Sequence, residues 1–268
     1  MSVEVTTTQA APKRRSDRRV RLATVVVVGV LLLLWEALPA LDVIPEIILP
    51  RFSDVMLALG TLVTGPTFMR HLGVTLTEIL VGFVIGTVIG FVLGVTLGLS
   101  ETLKRITYPI VIAFQSIPKI VLAPLIITWF GYGIESKVAM AVVIAFFPVL
   151  INTMVGLESV PEVGIKLMRS LRASPSQQFW KLSLPYAAPL IFAGIKTGLT
   201  FAVIGAIVGE FVGASEGLGY LLNTYSFALR IDRVYAVIVV LSLIGSLLYF
   251  IIERIDRRLI FWRSSSLR

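Results

Sequence analysis

Not one cysteine occurs in the 268 residues, and there is a single histidine, His71. The first absence excludes a disulfide scaffold, a thiolate metal site and a cysteine nucleophile. The second leaves too few ligands for a zinc or copper centre. Charge is scarce as well: Asp, Glu, Lys and Arg make up 15% of the chain, against roughly 25% in an average soluble domain. No Gly-Lys dipeptide occurs, so there is no phosphate-binding loop of the G-x-x-x-x-G-K-[ST] type.

Apolar side chains, by contrast, supply 56% of the residues, and the 21 glycines raise that share to roughly 64%. Soluble domains stop at roughly 45–50% on the same count. Disorder is excluded by the same numbers, and so is a soluble enzyme. The composition implies an integral membrane protein carrying a formal charge of +8. A helix needs ~20 mostly apolar residues to cross the hydrocarbon layer. Six stretches qualify, at about 22–41, 73–99, 108–130, 136–156, 188–213 and 234–253. The expected fold is therefore all-α, with six transmembrane helices. Ahead of the first lies a basic N-terminal tail, residues 1–21, whose first dozen residues read as disordered. Residues 22–255 form the membrane domain, and 256–268 a second basic tail. The first apolar stretch could pass for a signal peptide, but Pro39 sits in the would-be cleavage site and more spans follow. It reads as an uncleaved helix.

The 24 basic residues orient the chain. With the N-terminus inside, 17 fall in cytoplasmic segments and 5 (Arg51, Arg70, Lys137, Arg230, Arg233) outside. Lys119 and Lys196 lie within spans. That asymmetry places both termini in the cytoplasm. It makes the charge a matter of topology, and no basic stripe points to nucleic acid.

Two spans carry glycine at helical spacing. Gly82, Gly86, Gly90, Gly94 and Gly98 line one face of the second, and Gly194, Gly198, Gly205, Gly209 and Gly213 mark the fifth. Such faces let a neighbouring backbone approach closely. They read as packing within one subunit, with a moving or dimer seam as the alternative. The third span is interrupted by Pro109, Pro118 and Pro124. Prolines at that depth are tolerated where the freed carbonyls face protein or water. Gln115, Ser116, Pro118, Lys119, Asn152 and Glu210 are accordingly the candidate substrate path. Lys119 either attracts an anion or else snorkels or pairs with Glu210, and Glu210 reads as a structural or gating group rather than a proton carrier. Glu36 and Glu78 read as interfacial, and His71 as solvated.

The cytoplasmic loop 157–187 is too long for a mere connection. Pro161–Leu171 can form a short helix with Ile165, Met168 and Leu171 on one face. Ser174, Pro175 and Gln177 make a capping box with proline at the first helical position, which predicts a second helix over 175–183 that ends before Pro185. Phe179 and Trp180 are candidate anchors for a partner pocket.

From Lys166, the register Lys-Leu-Met-x3-Arg172-x9-Leu182-x-Leu184-Pro185 resembles E-A-A-x3-G-x9-I-x-L-P. That signature marks permease subunits of binding-protein-dependent ABC importers. Ile117-Pro118-Lys119, Trp129-Phe130-Gly131-Tyr132-Gly133 and Gly209-Glu210 with Gly217-Leu218-Gly219-Tyr220 resemble the sulfonate, taurine and nitrate branch. The resemblance implies a homodimer, two copies of a cytoplasmic ATPase that holds ATP and Mg, and an extracytoplasmic solute-binding protein. This chain itself would bind no cofactor or metal and catalyse nothing. Coupling to the ATPase would fall to Lys166, Met168, Arg172, Ala173, Ser174, Pro175, Gln178, Phe179, Trp180, Leu184 and Pro185. Four positions depart from the signature: Lys166, Leu167, Met168 and Arg172 replace its Glu, two Ala and Gly. With Arg172 at the Gly position, either the turn has another backbone shape or Arg172 pairs with an acid on the ATPase. The cargo implied is a small anion such as a sulfonate, taurine or nitrate, with a pyrimidine vitamin precursor or aromatic acid as the alternative. Segments 42–72 and 215–233 would face the binding protein, with Asp42, Glu46, Asp54, Glu216, Arg230 and Arg233 as docking charges. An ion-coupled secondary transporter would show an inverted repeat and a dense ionisable midplane, and neither is visible. A membrane-embedded enzyme would need paired carboxylates or a His cluster, which are also missing.

Overall fold

A computed structural model of the chain describes residues 14–261. The expected disordered segment 1–12 and the end of the C-terminal tail, from residue 262, lie outside the described residues. Long helices account for five of the spans: α1 (Arg14–Ala40), α3 (Phe68–Leu99), α6 (Ile134–Glu158), α9 (Leu184–Gly213) and α11 (Ile231–Leu259). Between them lie α2 (Phe52–Val63), α4 (Glu101–Ser116), α5 (Ala123–Phe130), α7 (Glu162–Ser170), α8 (Pro175–Gln178) and α10 (Leu218–Phe227).

The third span is not one helix. α4 and α5 meet at an 82° bend. Pro118 has no N–H to donate, and it forces Ile117 before it into extended backbone (φ −68°, ψ 127°). The chain restarts through a tight turn at Lys119–Leu122 and enters α5 with Pro124 in its first turn.

α6 is the central helix, held between α3 and α9 by the two glycine faces. A Cβ on Gly90 would stand 2.8 Å from the Phe146 carbonyl, and one on Gly94 2.7 Å from the Thr153 Cβ. On the other side, a Cβ on Gly205 would lie 2.7 Å from the Ala141 Cα, and one on Gly194 2.6 Å from the Asn152 Cβ. In lipid, where burying apolar surface gives helices no reason to associate, this close approach is what holds them. Both stripes are thus packing faces within the subunit. The core residues Ile79, Ala141, Ala145, Leu199, Ala202 and Ala206 sit in the same three-helix sandwich.

Polar contacts fasten the outlying helices. Glu36 of α1 accepts the Ser53 N–H at 3.0 Å and its hydroxyl at 2.8 Å, capping the start of α2 from another helix. Lys196 of α9, which the sequence leaves without a partner, bonds Glu253 (2.7 Å) and Asp256 (2.8 Å) of α11. α2, α10 and α11 gather at the opposite end of the bundle from α7 and α8, around Leu218, Leu221, Ala236, Val237 and Val240.

Candidate functional site

Three places combine unusual chemistry with defined geometry: a helical hairpin at one end, a polar cluster at the other, and an apolar cavity between α3, α4, α5 and α6.

The hairpin is built by local rules. α7 ends in a left-handed turn at Arg172 (φ 57°). The Ala173 N–H reaches the Met168 carbonyl at 3.0 Å, and the Arg172 N–H reaches that of Arg169 at 2.9 Å. This is the double closure that a glycine usually makes at a helix C-terminus. The turn keeps a glycine-type shape, with Arg172 adopting the strained conformation. α8 then starts on the expected capping box. Ser174 Oγ accepts the Gln177 N–H at 3.2 Å, and Gln177 Oε1 accepts the Ser174 N–H at 2.9 Å. Gln178 adds a bond to the Ala173 carbonyl at 3.0 Å.

The second helix does not stop before Pro185. A wider π turn at Phe179–Ser183 carries it into α9, so that one helical path runs from Pro175 to Gly213. Pro185 has no N–H for the preceding turn to use, and wide turns of this kind absorb such a gap. Side-chain orientations also differ from expectation. Phe179 packs inward against Leu157, Ala187 and Ile191, whereas Trp180 stands 64% exposed. On α7, Ile165 and Met168 are half-buried, and Val163, Leu167 and Leu171 form the exposed apolar row. Lys166 pairs with Glu162 at 3.0 Å. Leu184 and Pro185 begin α9.

At the other end, Glu210 is buried, with 1% of its surface exposed. It accepts the Thr75 hydroxyl at 2.6 Å and the Gly219 N–H. Thr75 Oγ1 in turn accepts the Leu218 N–H at 2.8 Å, and His71 Nδ1 accepts the Gly217 N–H at 3.0 Å. Lys137 is buried in the first turn of α6 and donates to the carbonyls of Tyr132 and Gly213. Glu78, 2% exposed, faces Glu210, and its Oε2 has no hydrogen-bond partner. Three expectations are corrected here. Glu78 is not interfacial, His71 is not solvated, and Lys137 is not a loop cation. The polar stripe His71, Thr75, Glu78 runs at spacings of four and three into Gly82 and the glycine face of α3, so the inward direction was written in the sequence.

The cavity, about 930 Å³, is lined by Phe114, Ile117, Trp129, Phe130 and Phe147 among others, with Lys119 and Glu135 as its charged members. Lys119 donates to the Gln115 carbonyl at 2.8 Å and lies 5.0 Å from the Phe147 ring centre. It does not pair with Glu210. Gln115 and Ser116 close α4 exposed, and Ser116 bonds back to the Ile112 carbonyl at 2.9 Å. Asn152 bonds the Pro148 carbonyl at 2.8 Å and packs on Gly194. The structure therefore brings Lys119 to the cavity, keeps Pro118 at the helix break beside it, and leaves Asn152 and Glu210 in helix packing. A mixed-charge groove of about 580 Å³, lined by Glu46, Asp54, Arg230 and Arg233, joins the two segments expected to meet a docking partner.

Broken and unbroken apolar helices around a glycine-packed centre, with a capped hairpin in one loop, define a multi-pass membrane protein. Residues 82–261 match the family of binding-protein-dependent transport system inner membrane components, and the chain belongs to that family. It is 38% identical over 261 residues to the riboflavin transport system permease protein RibX of Chloroflexus aurantiacus, covering 96% of this chain and 97% of that one. Over 240 residues it is 32% identical to the taurine transport system permease protein TauC of Escherichia coli, covering 87% of each. Among solved structures, a chain of the inward-facing MetNI methionine ABC transporter superposes with a TM-score of 0.65 at 27% identity, covering 73% of this chain and 98% of that one. The protein is thus a non-catalytic membrane subunit of an ABC importer for small solutes, and its ATPase is a separate protein.

Proposed function

We propose that this permease works as a homodimer bound to two ATPase subunits, and that the α7–α8 hairpin is the part that meets the ATPase. The exposed row Val163, Leu167, Leu171 and Trp180 carries this reading. Four apolar side chains on a short polar hairpin outside the spans are costly to leave in water and suit a partner groove. The excess of basic residues on the hairpin side orients it, and both chain termini, to the cytoplasm. ATP and Mg belong to the partner. The groove lined by Glu46, Asp54, Arg230 and Arg233 then faces outward and receives the solute-binding protein.

For the cargo, the cavity favours an organic anion. Lys119 and Glu135 are the charged members of an otherwise apolar, aromatic lining, and Lys119 suits a molecule with an apolar body and a single negative group, such as a sulfonate or an aromatic acid. A bare inorganic anion would gain little from those walls. The test is ATP-driven uptake in vesicles containing permease, ATPase and binding protein. Trp180→Ala with Leu167→Ala should abolish uptake while the protein stays folded, and normal uptake would overturn the coupling assignment. Lys119→Gln should lower organic-anion uptake by about tenfold, the loss of one charge-assisted contact. An unchanged rate would remove Lys119 from the path.

A further inference from the structure

The first N–H groups of a helix have no acceptor within it. In α10, a helix with no side-chain cap of its own, other helices supply every one of them. Gly217 N–H goes to His71, Leu218 N–H to Thr75, and the N–H groups of Gly219 and Tyr220 to the Glu210 carboxylate. Backbone shape is fitted to this. Gly217 has φ 112°, which only glycine adopts freely, and a Cβ on Gly219 would stand 2.8 Å from Glu210 Oε2. One residue further out on both segments, Arg70 and Glu216 form a two-bonded ion pair at the surface. The exposed pair and the buried cap are therefore adjacent rungs between the same two stretches of chain.

We propose that His71, Thr75 and Glu210 are positioning residues for α10, and that the Arg70–Glu216 pair is the external trigger of their grip. Arg70 is the accessible member, with 69% of its side chain exposed against 32% for Glu216. The partner that acts on the trigger is therefore a protein face presenting an acidic side chain, which takes Arg70 and frees Glu216. With that rung lost, the Gly217 bond to His71 is next to open, and the start of α10 then hangs on its bonds to Thr75 and Glu210 and on the packing of Leu218 and Leu221. Only the identity of the partner rests on the importer reading; the cap is a property of the permease by itself.

Because the chain has no cysteine, a single Leu221→Cys substitution reports on α10 without background. Leu221 is 9% exposed. In the purified full-length permease, Thr75→Val and Glu210→Gln should each raise the maleimide-labelling rate at position 221 by about tenfold, while Thr75→Ser keeps the parental rate. Glu216→Gln, a surface change that leaves the core intact, should raise it about threefold. Poly-glutamate at low salt should speed labelling of the parent and have no effect on Arg70→Gln. A parental rate in both Thr75→Val and Glu210→Gln would overturn the cap. Poly-glutamate acting equally on parent and Arg70→Gln, or on neither, would overturn the trigger. None of these readings needs an ATPase or a cargo, so failure of ATP-driven uptake would count against the importer reading and not against this one.

Discussion

The two ends of the helical path from Pro175 to Gly213 solve the same problem in opposite ways. At the hairpin end, α8 is capped by Ser174 and Gln177, three residues apart, with Pro175 in the first turn. At the opposite end, α10 is capped by His71, Thr75 and Glu210, of which His71 lies 146 residues from its partner. The first cap forms wherever the hairpin forms. The second exists only when α3, α9 and α10 are correctly packed, so it reports on tertiary structure and can be lost without unfolding any helix. A local cap suits an element that must move as a rigid piece. An assembled cap suits an element whose position must respond to its neighbours.

This contrast can be broken most severely at Glu210. Glu210→Ala leaves at least two N–H groups and the Thr75 hydroxyl without their acceptor inside the protein, and should cost about 3 kcal/mol or more. Thermal unfolding in detergent measures it, and an unchanged midpoint would mean that water replaces the carboxylate at no cost. Thr75→Val should cost about 2 kcal/mol by the same assay, since one hydroxyl serves both Glu210 and Leu218. Ser174→Ala should cost about 1 kcal/mol, confined to the hairpin. It should appear as faster amide exchange at 174–178 with little change in global unfolding. Arg172→Gly is the smallest expected effect: a gain of roughly 0.5 kcal/mol, as relief of the left-handed strain is partly offset by a freer unfolded chain. A loss on that substitution would show that the arginine side chain makes a contact that outweighs its strain.

The same contrast explains what could be read from the sequence. Span positions followed from apolar length, and the capping box at Ser174 from three adjacent residues, because both depend on local chemistry. The glycine faces were legible because their spacing is helical. The break at Pro118 was visible as a proline, but its 82° angle was not. Arg172 was the reverse case: an unfavourable residue in a turn whose shape the surrounding hydrogen bonds impose. Lys137 and Glu78 were misplaced because a charge near a span end is usually solvated: the helical spacing of Glu78 from Gly82 gave its direction, but only the packing of α6 against α3 and α9 shows Lys137 to be inside. Glu210 stood out as a lone acid in the fifth span, yet its partner was sought in Lys119. Its real partners are the Thr75 hydroxyl and backbone N–H groups, and the latter carry no signature in any sequence.

The assignment of the hairpin to the ATPase is tested most directly by position-specific cross-linking in the naturally cysteine-free chain. Trp180→Cys, at the exposed hairpin, and Leu57→Cys, 71% exposed on α2 at the far end, would each carry a short thiol-reactive cross-linker in membranes containing the whole transporter. The account predicts a permease–ATPase adduct from position 180 and none from position 57. An adduct from position 57, or none from 180 with the ATPase bound, would contradict it.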